Sequence, residues 1–347
     1  MIDENKRTMT HNHIPFERSF ALLSKDDLSS YDHSSIFGPS KSGSKSWSDL
    51  QGYRCVIILG EGKCGKTHEF KHQHQKLINE GSFSFFIPLE QLHDSEFLDT
   101  ITEEEEFQFE LWSNDSDKEA VFFLDAVDEL KLRRGTLRKA IRKIKEVIGP
   151  NTNRVRFFIS CRPYDWEQEI DLHTVESLVP PREQSVDTAV LPNGEEIFTA
   201  VITRNHRRET REQIKDEDAS KAAQVLSLLP LSHEETIEFA TLYAPDHAET
   251  LKMHLQEKEL WHLYQLPAEI ISGLDQLVSE GRLGNLEEQL EFGIGQKLRE
   301  LSNKKRNSLS ENRALEGAER IALALFLMKR RSIYFEKPHG NDEGVSI

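Results

Sequence analysis

From Arg54 onward the chain alternates short, continuously apolar runs with amphipathic stretches. This is the pattern of strands buried on both faces and joined by helices. The runs are CVIIL at 55–59, FSFFI at 83–87, AVFFL at 120–124 and VRFFIS at 155–160, each ending where a polar cluster begins. Between the last two, Leu137, Ile141, Ile144 and Ile148 share one helical face, and Gly149-Pro150 supplies a stop. Strand, helix and strand at this spacing predict right-handed parallel crossovers, hence an α/β fold with a parallel sheet between helical layers.

The flanking regions read differently. Residues 1–50 look irregular: a short apolar stretch around Phe16 to Leu23 precedes FGPSKSGSKSW, which reads as a linker with little core. The region 167–223 breaks the rhythm. In it VDTAVL, PNG and EEIFTAVI predict an inserted hairpin at about 186–202, with Asn193-Gly194 in the turn. VLSLL is one more strand candidate, after which the chain reads as helical. Ser232 with Glu235 forms a capping box, and later helices are expected near 247–263, 267–279, 285–304 and 310–332. The expected organisation is an extension over 1–50, an α/β domain over 51–231, a helical domain over 232–309, and the start of a further helical or winged-helix module over 310–347.

Composition narrows the setting. With 37% hydrophobic and 30% charged residues the chain is that of a folded protein. No run approaches the roughly 18 apolar residues of a membrane span, and the N-terminal stretch lacks the apolar core of a signal peptide. The expectation is a cytoplasmic protein with no membrane partner. Three cysteines cannot build a disulfide framework in so long a chain, which agrees with a reducing compartment. Forty-four Lys+Arg against 60 Asp+Glu give a net charge of −16, which disfavours nucleic acid except at a local basic patch. The stretch 131–145, read as one basic helix with eight Lys/Arg, is either a solvated outer face or such a patch.

Candidate chemistry begins directly after the first strand, at GEGKCGKT, 60–67. A chance match to this phosphate-loop pattern in a chain of this length has a probability on the order of one in a hundred. A loop of this kind curls so that successive backbone N–H groups face one polyphosphate, which Gly60, Glu61, Gly62, Lys63, Cys64 and Gly65 would provide. Lys66 would neutralise β- and γ-phosphate charge, and the Thr67 hydroxyl would join a Mg²⁺ shell. The second acidic element is AVFFLDAVDEL: Asp125, ending its strand, can hold Mg²⁺, and Asp128 and Glu129 lie about one helical turn on. These two either place a carboxylate near an attacking water or are the acidic first turn of a helix. In the next strand end, ISCRPYDW, Arg162 can reach a γ-phosphate while Pro163 stops the strand.

Taken in order, GEGKCGKT, FFLDAVDEL, FFISCRP, LLPLS and LYQLPAEI resemble the NACHT-type branch of the STAND signal-transduction P-loop ATPases, over roughly 51–275. The resemblance implies ATP and Mg²⁺ as cofactors, Lys66 and Thr67 on phosphate and metal, and Asp125 on the metal. It also implies Glu129 with Asp128 in hydrolysis, Arg162 as the sensor arginine, and Pro267 near the base. It implies an ATP-driven switch with self-association or a protein partner, in bacterial defence or stress signalling. The sequence departs from the family in Cys64 and Cys161, in the long segment 167–223, and in ending near where a winged helix would begin. The chain is then either part of a longer protein or acts with another polypeptide.

Other features read plainly. Glu103 to Glu106 is expected to be a solvated loop, the cysteines ordinary thiols, and the histidines, including HNH at 11–13 and HQH at 72–74, scattered or on helix surfaces. Two alternatives stay open: an AAA-like motor or DNA-loading ATPase, and a nucleotide-binding scaffold without turnover. No guanine-reading Asn/Thr-Lys-x-Asp motif stands at a strand end, which favours ATP.

Overall fold

The computed structural model describes residues 16–24, 43–115, 117–179, 188–190, 196–198, 223–285, 288–289, 291–292, 294, 311–327, 333–334 and 345–346. The chain divides into two compact units, Met1–Leu242 with His262–Glu269, and Tyr243–Trp261 with Ile270–Ile347.

The first unit is α/β. Its six-stranded sheet contains β1 (Phe20–Leu22), β2 (Cys55–Leu59), β3 (Phe83–Pro88), β4 (Ala120–Asp125), β5 (Val155–Cys161) and β8 (Gln224–Leu228), in the order β1-β8-β2-β5-β4-β3. Five strands run parallel, and β1 pairs antiparallel with β8 at one edge. The continuous apolar runs are explained by burial on both sheet faces. Ile57, Leu59, Phe85, Phe122, Leu124, Phe157 and Ile159 enter one core. Their neighbours Val56, Ile58, Val121, Phe123 and Phe158 enter another, as the two-residue period of a strand requires. The first core receives α3 (Glu103–Asn114), α4 (Val127–Leu132), α5 (Leu137–Ile148) and α6 (Gln168–Glu176) through Phe109, Trp112, Leu130, Ile144 and Val175. The second receives α1 (Trp47–Leu50) and α2 (Lys66–Asn79) through Leu50 and Phe70. Helices on both faces are compatible with a three-layer α/β/α arrangement.

Three sequence expectations are corrected. The N-terminal stretch is not without core: Phe16, Phe20, Ala21 and Leu23 are buried and β1 closes the sheet edge. Glu103 to Glu106 begin α3 rather than a loop. The Thr102 hydroxyl accepts from Glu105 N at 3.2 Å, and Glu105 returns the bond to Thr102 N at 2.9 Å, a capping box followed by an acidic first turn that suits the helix dipole. The basic stretch 131–145 is two helices, α4 and α5, separated where Arg134 takes a left-handed φ of 62° and Thr136 caps α5.

The HQH histidines also differ from a simple helix surface. His74 is mostly covered, its Nδ1 3.0 Å from Ser84 Oγ and its Nε2 3.2 Å from Glu105, so that it joins α2, β3 and α3.

In the inserted region, β6 (Thr188–Val190) and β7 (Glu196–Phe198) pair antiparallel in a two-stranded sheet of their own. The Asn193-Gly194 turn lies outside the described residues, as do HNH at 11–13, residues 199–222, and most of the helix expected at 285–304.

The first unit also keeps α7 (His233–Tyr243) up to Leu242, beyond the expected boundary at 232. Ser232 caps α7, accepting from Glu235 N at 3.2 Å. Thr236 Oγ1 donates to Tyr264 O at 2.9 Å and Leu231 N to Gln265 O at 2.9 Å, which draws 262–269 into the same unit.

The second unit is mainly helical. It contains α8 (Pro245–Glu257), most of α9 (Pro267–Glu280) and α10 (Glu311–Leu327), with a two-stranded parallel pair, β9 (Ile333–Tyr334) and β10 (Val345–Ser346). Ala248, Leu251 and Leu255 of α8 and Ile270, Leu274 and Leu277 of α9 are buried. No described helix is long and apolar enough to cross a membrane.

Candidate functional site

The carboxyl ends of parallel strands, where the strand order reverses, are where an α/β sheet opens toward a ligand. Here β5 lies between β2 and β4. The segment after β2 (60–67), the end of β4 (Asp125) and the end of β5 (Ser160 to Arg162) are therefore brought together at the carboxyl end of the sheet.

The loop after β2 is built for close approach. Gly65, the N-cap of α2, has φ 99°, a conformation that strains any residue with a Cβ. A Cβ on Gly60 would stand 2.8 Å from Cys64 Sγ, so the chain can pack there only without one. Lys63 also lies in the left-handed region, at φ 66°, and its ammonium pairs with Glu269 at 3.1 Å. Pro267 is close by, 3.8 Å from the position of a Cβ on Gly65. Glu61 is exposed and Cys64 buried. Lys66 Nζ donates to Gly60 O at 2.5 Å and Glu61 O at 3.1 Å, with Cys64 Sγ at 3.8 Å. Its ammonium is thus held over the loop's own carbonyls. No side chain caps α2, so the amides of its first turn are left to other acceptors.

Asp125 is buried and meets this loop. Ser160 Oγ donates to Asp125 Oδ1 at 2.6 Å and accepts from Ala126 N at 2.8 Å, and the Thr67 hydroxyl lies near enough to the same carboxyl to favour its charged form. Burial pushes the Asp125 carboxyl above the usual aspartate range, against the Ser160 and Thr67 hydrogen bonds and the attraction of Lys66. A hydroxyl and a carboxylate brought near one another at the head of a helix are oxygen donors suited to Mg²⁺.

Ala126, at φ 62°, turns the chain sharply from β4 into α4. The turn separates the next two acids. Asp128 is buried and accepts from Arg162 Nε at 2.8 Å. The Arg162 guanidinium also lies beside the loop, its Cζ 3.7 Å from the position of a Cβ on Gly62. Glu129 has an open residue surface and is placed on no other site residue by a hydrogen bond described here. Partial desolvation of its carboxyl, then repulsion by Glu90, Asp128 and Asp125, raises its pKa. Asp128, which the family resemblance groups with Glu129, is here the anion paired with Arg162.

Three contributors were not anticipated. Ser160 was legible as the one hydroxyl near the end of an otherwise apolar strand. Lys131 was read as part of a solvated basic face, yet its ammonium bonds Asp165 O and the Asp171 carboxylate, each at 2.7 Å, and Glu167 at 3.0 Å. It thereby ties α4 to the segment after Arg162. Arg18 lies in the short apolar stretch before the linker, where little core was expected, and reaches the loop backbone; no periodicity marks it. The cysteines are free and buried, and burial raises the thiol pKa of Cys55 and Cys161.

No protein-family profile and no curated protein matches this chain.

Proposed function

We propose that the protein is an ATP-binding molecular switch of the STAND type, NACHT-like, whose α/β unit is a P-loop NTPase domain. The observation that carries the reading is the buried Asp125, held by Ser160 at a strand end, beside a glycine-rich turn that opens onto a helix N-terminus carrying Lys66 and Thr67. The donor set fits the proposed cofactors. Amides of the 60–67 turn and Lys66 suit a polyphosphate, and Thr67 and Asp125 suit Mg²⁺, which when bound would neutralise phosphate charge.

In this reading the chain's own residues divide the work. Gly60, Glu61, Gly62, Lys63, Cys64 and Gly65 shape the turn, and Pro267 packs against it. Ser160 holds the Asp125 carboxyl in a fixed orientation. Glu129 accepts a proton from water, helped by a raised pKa. Arg162, steered by Asp128, senses the charge at the loop. Slow hydrolysis or exchange would then alter assembly with itself or a protein partner. A setting in cytoplasmic defence or stress signalling rests on the family resemblance alone.

The test is calorimetric titration of Mg-ATP into the native chain and the Lys66→Ala variant. Tight binding lost in the variant is expected; equal affinity removes the assignment of the loop. Turnover with and without DNA sorts the activity: DNA stimulation favours a motor, and binding without turnover favours a scaffold.

A further inference from the structure

The N-terminal strap that closes the sheet edge carries a buried cation. Arg18 is 3% exposed and its guanidinium reaches a loop 46 residues away. Nη1 donates to Cys64 O at 2.8 Å and Nη2 to Leu229 O at 2.9 Å, while Nε is buried without a hydrogen-bond partner among the described residues. Leu229 N in turn donates to Ser19 O at 2.9 Å, so strap, loop and the end of β8 form one bonded unit. Nη1 also lies 3.4 Å from the position of a Cβ on Gly65, the N-cap of α2.

This is a costly place for a cation. The N-terminal end of a helix already carries partial positive charge, and burial removes the water that would solvate the guanidinium. Glu69 and Glu235 offset part of that cost. An anion seated on the same helix end would offset more of it, by attraction to both the helix end and the guanidinium. The paired bonds to two carbonyls add a geometric role, because a planar fork holds both acceptors in one orientation.

We propose that Arg18 is a positioning residue for the 60–67 loop, fixing its backbone through the Cys64 carbonyl and adding a buried positive charge that favours an anion there. The inference rests on the nucleotide reading for its ligand, but not for its effect on the loop. It makes the strap a working part of the site rather than a tether.

The experiment uses the full chain with Arg18→Gln, Arg18→Lys and, as a surface control, Arg138→Gln. Two quantities are read: Mg-ATP affinity by calorimetry, and hydrogen exchange at the amides of residues 64–66 without nucleotide. Loss of a buried charge-assisted bond predicts affinity reduced about tenfold or more for Arg18→Gln, less for Arg18→Lys, and unchanged for the control. Exchange in the loop should quicken in both Arg18 variants. If Arg18→Gln does not fold, Arg18→Lys decides. Native affinity together with native loop exchange in the folded variants overturns the proposal. If the native chain binds no Mg-ATP yet loop exchange quickens in the variants, the nucleotide reading falls and the loop-holding role stands.

Discussion

Asp128 and Arg162 are joined by a 2.8 Å ion pair in which the Asp128 side chain is only 5% exposed. The pair connects the first turn of α4 to the end of β5, and the same guanidinium lies against Gly62. Two residues that the family resemblance assigns to separate tasks are thus in direct contact. Asp128→Asn and Arg162→Gln are each expected to lower ATP turnover, with the double variant close to the worse single one. The coupling energy should be about 1–3 kcal/mol, the range for residues in direct contact. A double-mutant cycle on turnover and affinity measures it; strictly additive losses would assign the residues independent roles.

In the proposed reading Glu129 is the base. Glu129→Gln should keep Mg-ATP affinity and reduce turnover by roughly 10²- to 10⁴-fold, because the amide cannot take a proton. A base works ionised, so native turnover should fall as pH drops through a midpoint above that of an ordinary glutamate, since the Glu129 pKa is raised. A pH–rate profile of both proteins is the check, and an unchanged acid limb in the variant would assign the midpoint to another group.

In the proposed reading Asp125 sets Mg²⁺ binding against stability. Its folded pKa is raised above the unfolded one, so the native state holds the proton more strongly. Stability is then lost as pH rises from the ordinary aspartate value, about 3.9, through the raised folded value, and the full penalty is present above it. Asp125→Asn should raise Tm at neutral pH, show a gain that disappears below about pH 4, and lose Mg²⁺-dependent nucleotide binding. Calorimetric scans across that pH range test the sign; a lower Tm at every pH would show that the carboxylate is held at a net gain.

The helix starting at Glu103 and the ring cluster beneath it give two stability tests. Thr102→Ala removes one side of the capping box and should cost about 1 kcal/mol. Phe122 is fully buried, with ring centroids 4.9 Å from Phe85 and 5.8 Å from Phe157, so Phe122→Ala should cost about 3–5 kcal/mol. Urea titrations of both variants compare the two, and a smaller loss at Phe122 than at Thr102 would contradict the assigned core.

The pattern of positions by itself determined the central strands and the glycine-rich turn. A strand buried on both faces cannot alternate, so CVIIL and AVFFL announce their place in a parallel sheet without reference to anything distant. Gly60 and Gly65 mark a backbone that local geometry alone demands. The Ser232–Glu235 and Thr102–Glu105 boxes were equally local, and the second was overlooked because a run of four acids reads as solvated until its cap is seen.

Only the tertiary structure decided what crosses between elements. The order β2-β5-β4 sets Ser160 against Asp125 and Arg162 against Asp128, 35 and 34 residues apart in the chain, and β1 draws Arg18 to the loop from an N-terminal stretch in which little core was expected. Such pairings depend on strand order and on which charges are stripped of water together. Neither leaves a period in the sequence, because each is satisfied by a single residue whose partner lies in another element.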